Sequence, residues 1–254
     1  AISSLIRFVN QLDSYYELTA AFDKVAQLTQ FKGEVYKKNK FPLIHISQIS
    51  FTAINNDFKH ISSFEKLSNQ TFKKNKPMLL YCESDHQRNL LSDTFIGKNK
   101  YLNEYYKVDN HPYETLDHQS FLSKVQVIKK NIIFEDTLLN NLKIVQDDLD
   151  LAELQKLLMH FDFYEDSKSQ ADLDHVLNAT NLNISNFQLI KLQVIRAVVA
   201  NPEILIIDSF FDTLSPTHTS YLVSKIQSIK HNLIFILITG NSSVAKLFPK
   251  TLKF

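Results

Sequence analysis

Two apolar runs, residues 203–208 (EILIID) and 232–239 (NLIFILIT), lie on either side of a helix-patterned stretch at 217–229. Runs this continuous, rich in isoleucine and free of polar alternation, suit strands buried on both faces. A strand, a helix and a second such strand in succession make a parallel crossover, so the second half of the chain reads as a β/α arrangement. Residues 188–200 read as a helix ahead of it, and 78–81 (MLLY) as an earlier strand. Residues 43–51 alternate as the strands of a small antiparallel sheet do. Residues 124–134 read as a further buried strand, 138–177 as mostly helices, and KTLKF at the end as strand-like. Residues 2–28 carry apolar side chains at helical spacing without proline, which predicts one long amphipathic helix with no cap at its start. FKGEVYKKNKFP then reads as a linker.

Composition excludes several functions. With 44% hydrophobic and 22% charged residues in 254, the chain can bury a substantial core. A net charge of +1 gives no electrostatic case for nucleic acid, since Lys73, Lys74 and Lys76 are offset by Glu83 and Asp85. The lone Cys82 cannot form an intramolecular disulfide, which with no signal peptide fits a reducing cytoplasm. No apolar run approaches the roughly 20 residues that span a bilayer, so the chain reads as soluble, though it could be part of something larger. His111 and His118 show no zinc-ligand spacing.

Only three glycines occur, Gly33, Gly97 and Gly240. Residues 77–97, PMLLYCESDHQRNLLSDTFIG, nevertheless run strand, polar turn, helix, the order that a phosphate-binding loop requires. The frame is present with no glycine in its loop.

Residues 184–216, ISNFQLIKLQVIRAVVANPEILIIDSFFDTLSP, resemble the part of ATP-binding cassette (ABC) transporter nucleotide-binding domains that runs from LSGGQ through an arginine-containing helix to the Walker B strand. The register holds without a gap: Gln188, Arg196, Ala197, Asn201, Pro202, Ile204, Leu205, Asp208 and Leu214 fall where the family has the same or an equivalent residue. Upstream, IIFEDTLLNNL at 132–142 resembles the exporter pattern after the Q-loop, and 77–97 falls on the Walker A segment. The resemblance implies an α/β fold with a RecA-like P-loop NTPase core, an antiparallel β subdomain and an α-helical subdomain at about 138–184. It implies an ABC-type nucleotide-binding domain over 37–254, with 1–36 as the amphipathic helix and linker from a membrane domain of an exporter-type half-transporter. Its place would be the cytoplasmic face of the plasma (inner) membrane.

The departures from the family bear on the chemistry. A GxxxxGK[ST] loop wraps phosphates with backbone N–H groups, while its lysine and hydroxyl reach phosphate and Mg²⁺. Here those positions hold Cys82, Gln87, Arg88 and Asn89. Side chains with a Cβ obstruct the close backbone approach, and Asp85 brings a carboxylate toward the phosphate position. A like charge at 4 Å costs about 4 kcal/mol at an effective dielectric of 20. Arg88 is open to a phosphate contact or to the plainer readings, a solvated arginine or a local ion pair with Asp85. Cys82 reads as a packed, inert residue rather than a reactive thiol.

Asp208 stands at the Walker B aspartate, the one metal candidate if Mg²⁺ is bound, and otherwise a strand-end carboxylate capping a turn. The resemblance would place a catalytic glutamate at Ser209, a histidine at Gly240, the Q-loop glutamine at Lys129, the D-loop aspartate at Ser215 and an adenine-stacking aromatic at Ala53. The LSGGQ equivalent, with Ser185, Asn186, Phe187 and Gln188, has lost both glycines. Ser209 has no sequence partner that would make it a nucleophile, and Phe210 and Phe211 suit either a core or an interface. No catalytic residue is expected. The resemblance therefore implies a degenerate nucleotide-binding domain, unable to bind or hydrolyse ATP and acting as a structural, regulatory or docking module. Its partners would be a transmembrane domain of the same or an associated polypeptide and, as homodimer or heterodimer, a second ABC domain, with no cofactor. The alternative is an ATPase subunit of a heterodimeric transporter using ATP and Mg²⁺, the partner supplying the competent site; a third is a cytosolic interaction protein.

Overall fold

A computed structural model describes residues 41–43, 45–54, 62–146, 148–164, 172–178, 184–230, 232–248 and 250–254. The helix and linker expected over 1–36 lie outside these residues. Five strands form a parallel sheet in the order Thr251–Lys253 (β11), Met78–Tyr81 (β3), Ile234–Thr239 (β10), Ile204–Asp208 (β9) and Val125–Ile128 (β6). Every residue of β9 and β10 is buried, as their unbroken apolar sequences predict. Alternate side chains divide between two cores. Leu79, Leu205, Ile207, Phe235 and Leu237 enter one, and Leu80, Ile204, Ile206, Ile234, Ile236 and Ile238 enter the other. This is the two-residue period of a strand covered on both faces.

One core is shared with an antiparallel sheet ordered Thr71–Lys73 (β2), Gln48–Phe51 (β1), Tyr106–Val108 (β4) and His111–Pro112 (β5), and with helices Asp85–Phe95 (α1) and His118–Leu122 (α2). Aromatic rings fill it: Phe51 stacks on Tyr106 at 5.0 Å, and Phe72 meets Phe95 edge-on at 5.0 Å. The other core packs Leu138–Lys143 (α3), Leu151–His160 (α4), Asn186–Val199 (α5), Pro216–Ile229 (α6) and Ser242–Ala245 (α7). Helix α5 is buried from Leu189 to Val199 and is the central support of that layer.

Three details differ from the sequence reading. Only Gln48–Phe51 of the 43–51 stretch is strand. Residues 129–134 leave the sheet after β6, because Arg196 and Gln193 take the Ile132 carbonyl that a ladder would need. A two-strand bridge, Asp136–Thr137 (β7) with Val176–Leu177 (β8), interrupts the expected run of helices. Phe210 and Phe211 are both buried in the helical-side core, which decides between the two readings given them.

From β3 the chain crosses to the far edge at β6, returns through β9 to β10, and then passes β3 to β11. The connection leaving β3 thus runs toward β6, and the one leaving its neighbour β10 runs the opposite way, to β11. A crevice forms outside the carboxyl ends of strands at such a reversal, which is where open α/β sheets bind ligands. The segments 82–89, 129–130, 209–212 and 240–241 begin at those carboxyl ends.

Candidate functional site

The segment leaving β3 is fixed by its backbone. The Cys82 N–H donates to the Thr239 carbonyl at 2.9 Å, which continues the β3–β10 pairing by one residue. Ser84 caps α1 with extended backbone, its hydroxyl accepting from the Gln87 N–H at 3.5 Å. Cys82 is fully buried and its thiol donates to Gln87 Oε1 at 3.0 Å. Burial pushes the thiol up, outweighing the Ser84 backbone and the Arg88 charge.

Arg88 then folds back into its own loop. Its Nη1 donates to the carbonyls of Cys82 at 2.6 Å and Glu83 at 2.8 Å, and its Nη2 pairs with the Asp85 carboxylate. The Arg88 side chain is 11% exposed, whereas that of Asp85 is 87% exposed, so the ion pair has a buried cation and an outward acid. Asn89 points outward. Gly240, at the end of β10, supplies the space: a Cβ there would stand 2.2 Å from Arg88 Nη1. The glycine that the sequence offered as a lost histidine thus makes room for an arginine.

Next to it, β9 delivers Asp208, 3% exposed. Lys129, one residue beyond β6, brings Nζ to 3.1 Å from Oδ2 as an ion pair, and the Ser209 hydroxyl donates to Oδ1 at 3.1 Å. Ser209 itself has φ of 57°, the left-handed region, and is held there by its N–H to the Ile238 carbonyl at 2.9 Å. Asp208 therefore anchors a lysine from the neighbouring strand end. Asp212, which the sequence reading missed, takes the Gly240 N–H at 3.0 Å and the Thr239 hydroxyl. It joins the ends of β9 and β10, a role with no signal until those strands are neighbours. Ser215 caps α6 by accepting from His218 N–H at 3.2 Å.

Arg196 is held away from solvent on α5. Nε donates to the Asn141 carbonyl at 2.8 Å, Nη1 to the Ile132 carbonyl at 2.9 Å and Gln193 Oε1 at 3.2 Å, and Nη2 to Asn141 Oδ1 at 3.2 Å. Burial lowers its pKa, but four oxygen acceptors keep the cation satisfied. The segment after β6 is thereby pinned beside a groove of about 300 Å³ that includes Lys129, Ile132 and Phe134.

The stretch 185–188 is a helix start of ordinary chemistry. Ser185 and Gln188 form a reciprocal capping box at 3.2 and 2.7 Å. Asn186 is exposed, while Phe187 stacks on His218 at 4.3 Å with the Lys191 ammonium 4.6 Å from its ring. Ala53 is exposed just past β1. The structure brings Cys82, Asp85, Gln87, Arg88 and Gly240 together, and Lys129, Asp208 and Ser209 together, while Phe187 packs on α6. Among the described residues no trio of His, Cys, Asp or Glu is placed to hold a metal ion, and no helix is long and apolar enough to cross a membrane.

No family model matches the sequence, and no curated protein matches it. Among solved structures, the chain is similar to a bacterial Atm1-family ABC exporter with ATP bound, at a TM-score of 0.67 and 15% identity. The match covers 88% of this chain and 40% of the exporter chain. At that identity the likeness shows the fold: a mixed α/β architecture related to that of an ABC exporter.

Proposed function

We propose that residues 37–254 are a degenerate nucleotide-binding domain of an ABC exporter-like protein, built on a RecA-like core, which neither binds nor hydrolyses ATP and works by docking to other chains. The observation that carries this reading is the interior of the loop after β3. A phosphate cradle aims N–H groups inward. This loop aims the carbonyls of Cys82 and Glu83 inward and fills the space with the Arg88 guanidinium. A phosphate entering there would displace an ion-paired cation and meet oxygen atoms. The exposed Asp85 carboxylate adds a smaller repulsion, about 1 kcal/mol at 4 Å in water.

Two further features support the reading. The Walker B position, Asp208, already has Lys129 as counter-ion, and Ser209 supplies no carboxylate to activate water. The start of α5 holds Phe187 against His218 instead of offering a glycine-rich edge to a second subunit's nucleotide. On this reading the domain lies at the cytoplasmic face of a membrane. Its partners are a transmembrane region, of the same or another polypeptide, and a second ABC domain, as homodimer or heterodimer.

Isothermal titration with ATP and Mg²⁺ at millimolar ligand tests the proposal. No heat and no thermal stabilisation are the expected results. Saturable binding in the micromolar range would overturn it and favour the heterodimeric ATPase.

A further inference from the structure

We infer that the loop between β3 and α1 is a receptor for guanidinium-type cations whose permanent occupant is Arg88, so that a vacated loop selects small planar organic cations and not phosphate. The inference deepens the proposed function and rests on it in one respect, that no nucleotide holds this loop together.

Three acceptors surround the guanidinium: the Cys82 and Glu83 carbonyls at Nη1, 2.6 and 2.8 Å away, and the Asp85 carboxylate at Nη2. Gly240 leaves the floor open beneath it, since a Cβ would lie 2.2 Å from Nη1 and 2.8 Å from Cζ. The planar fork of a guanidinium suits acceptors arranged around two terminal nitrogens, which a compact ammonium does not reproduce.

The loop that carries the two carbonyls is held on both sides by contacts that do not use the arginine side chain. Cys82 is tied through its N–H to Thr239, Arg88 through its N–H to the Ser84 carbonyl at 3.0 Å, and Gln87 through its N–H to the Ser84 hydroxyl. The Cys82 thiol adds a bond to Gln87 Oε1. Truncation of Arg88 leaves all four contacts in place. The emptied space is then lined by oxygen, so it attracts cations and repels anions. Two consequences follow. Arg88 is an internal ligand and not a plug over a latent phosphate site, and the surface around 82–89 is constant whatever the nucleotide concentration, as a docking platform requires.

The test uses thermal unfolding of the full chain. Arg88→Ala is expected to lower the Tm by roughly 4 °C. Low-millimolar guanidinium chloride, far below the denaturing range, is expected to restore about half of that loss saturably, with no effect on the wild type. Sodium chloride, inorganic phosphate and ATP with Mg²⁺ are expected to restore nothing. Recovery by phosphate or ATP would overturn the inference, as would an unchanged Tm or an equal guanidinium response in variant and wild type. If Arg88→Ala does not fold, Arg88→Met and the refolding yield with guanidinium or phosphate give the same readout, and failure of both variants to respond to guanidinium would also overturn it. The cation response is read on the variants and ATP binding on the wild type, so the two proposals fail separately.

Discussion

The two ends of the parallel sheet use charge in opposite ways. At the amino end, Glu203, just before β9, accepts the Ile46 N–H at 2.6 Å and meets Lys124 at 3.0 Å and Lys74 at 3.3 Å. These groups come from before β1, before β6 and after β2, so one carboxylate joins the antiparallel layer to the parallel one. At the carboxyl end, Arg88 bonds its own loop and Lys129 bonds a neighbouring strand end. Charge at the first end assembles the fold. Charge at the second stays within the strand ends and the loop that leaves them.

The largest expected effect therefore belongs to the amino end. Glu203→Ala should cost about 3 kcal/mol, since it removes charge-assisted bonds from three segments and leaves two lysines partly buried; urea unfolding with an unchanged slope would show it. Burial disfavours the Glu203 charge, but the Ile46 N–H, Lys124 and Lys74 outweigh it and hold the carboxyl below its usual range. Because the folded pKa is lowered, this stabilisation is fully present above about pH 4.3–4.5, the unfolded value, and is lost as pH falls through the folded value. Glu203→Gln should flatten stability across that acid window, and a curve parallel to the wild type would remove Glu203 from the account.

At the other end Arg88→Ala should cost about 2 kcal/mol, less than Glu203→Ala, because its bonds stay within one loop. A reversal of that order in the same urea series would break the comparison. Lys129→Met should cost about 1.5 kcal/mol by leaving Asp208 with only the Ser209 hydroxyl, and Lys129→Arg should recover most of it. Smallest is Ser185→Ala, at about 1 kcal/mol for a lost helix cap, visible as a Tm decrease with no change in ATP response.

Much of the architecture was legible in the chain. The unbroken apolar runs gave β9 and β10 to within two residues, and MLLY gave β3, because full burial leaves no polar alternation to obscure a strand. Helix α6 was equally plain, with Ser215 and Pro216 at its start. The candidate site was legible in what it lacked, glycine and lysine in the loop after β3 and glutamate just after β9. What replaced them was not. Arg88 allowed a solvated reading and an ion-paired one, and its inward turn depends on the space at Gly240. The pairings of Lys129 with Asp208, of Asp212 with Gly240 and of Glu203 with Lys124 join residues far apart in sequence.

By itself, then, the sequence determined the buried strands of the parallel sheet and the absence of glycine from the loop after β3, since both are read from local residue type. The tertiary structure alone decided that Arg88 turns into the loop after β3 and that Lys129 pairs with the end of β9. That outcome depends on which strand ends stand side by side, and adjacency in a sheet is set by long-range packing that no local pattern encodes.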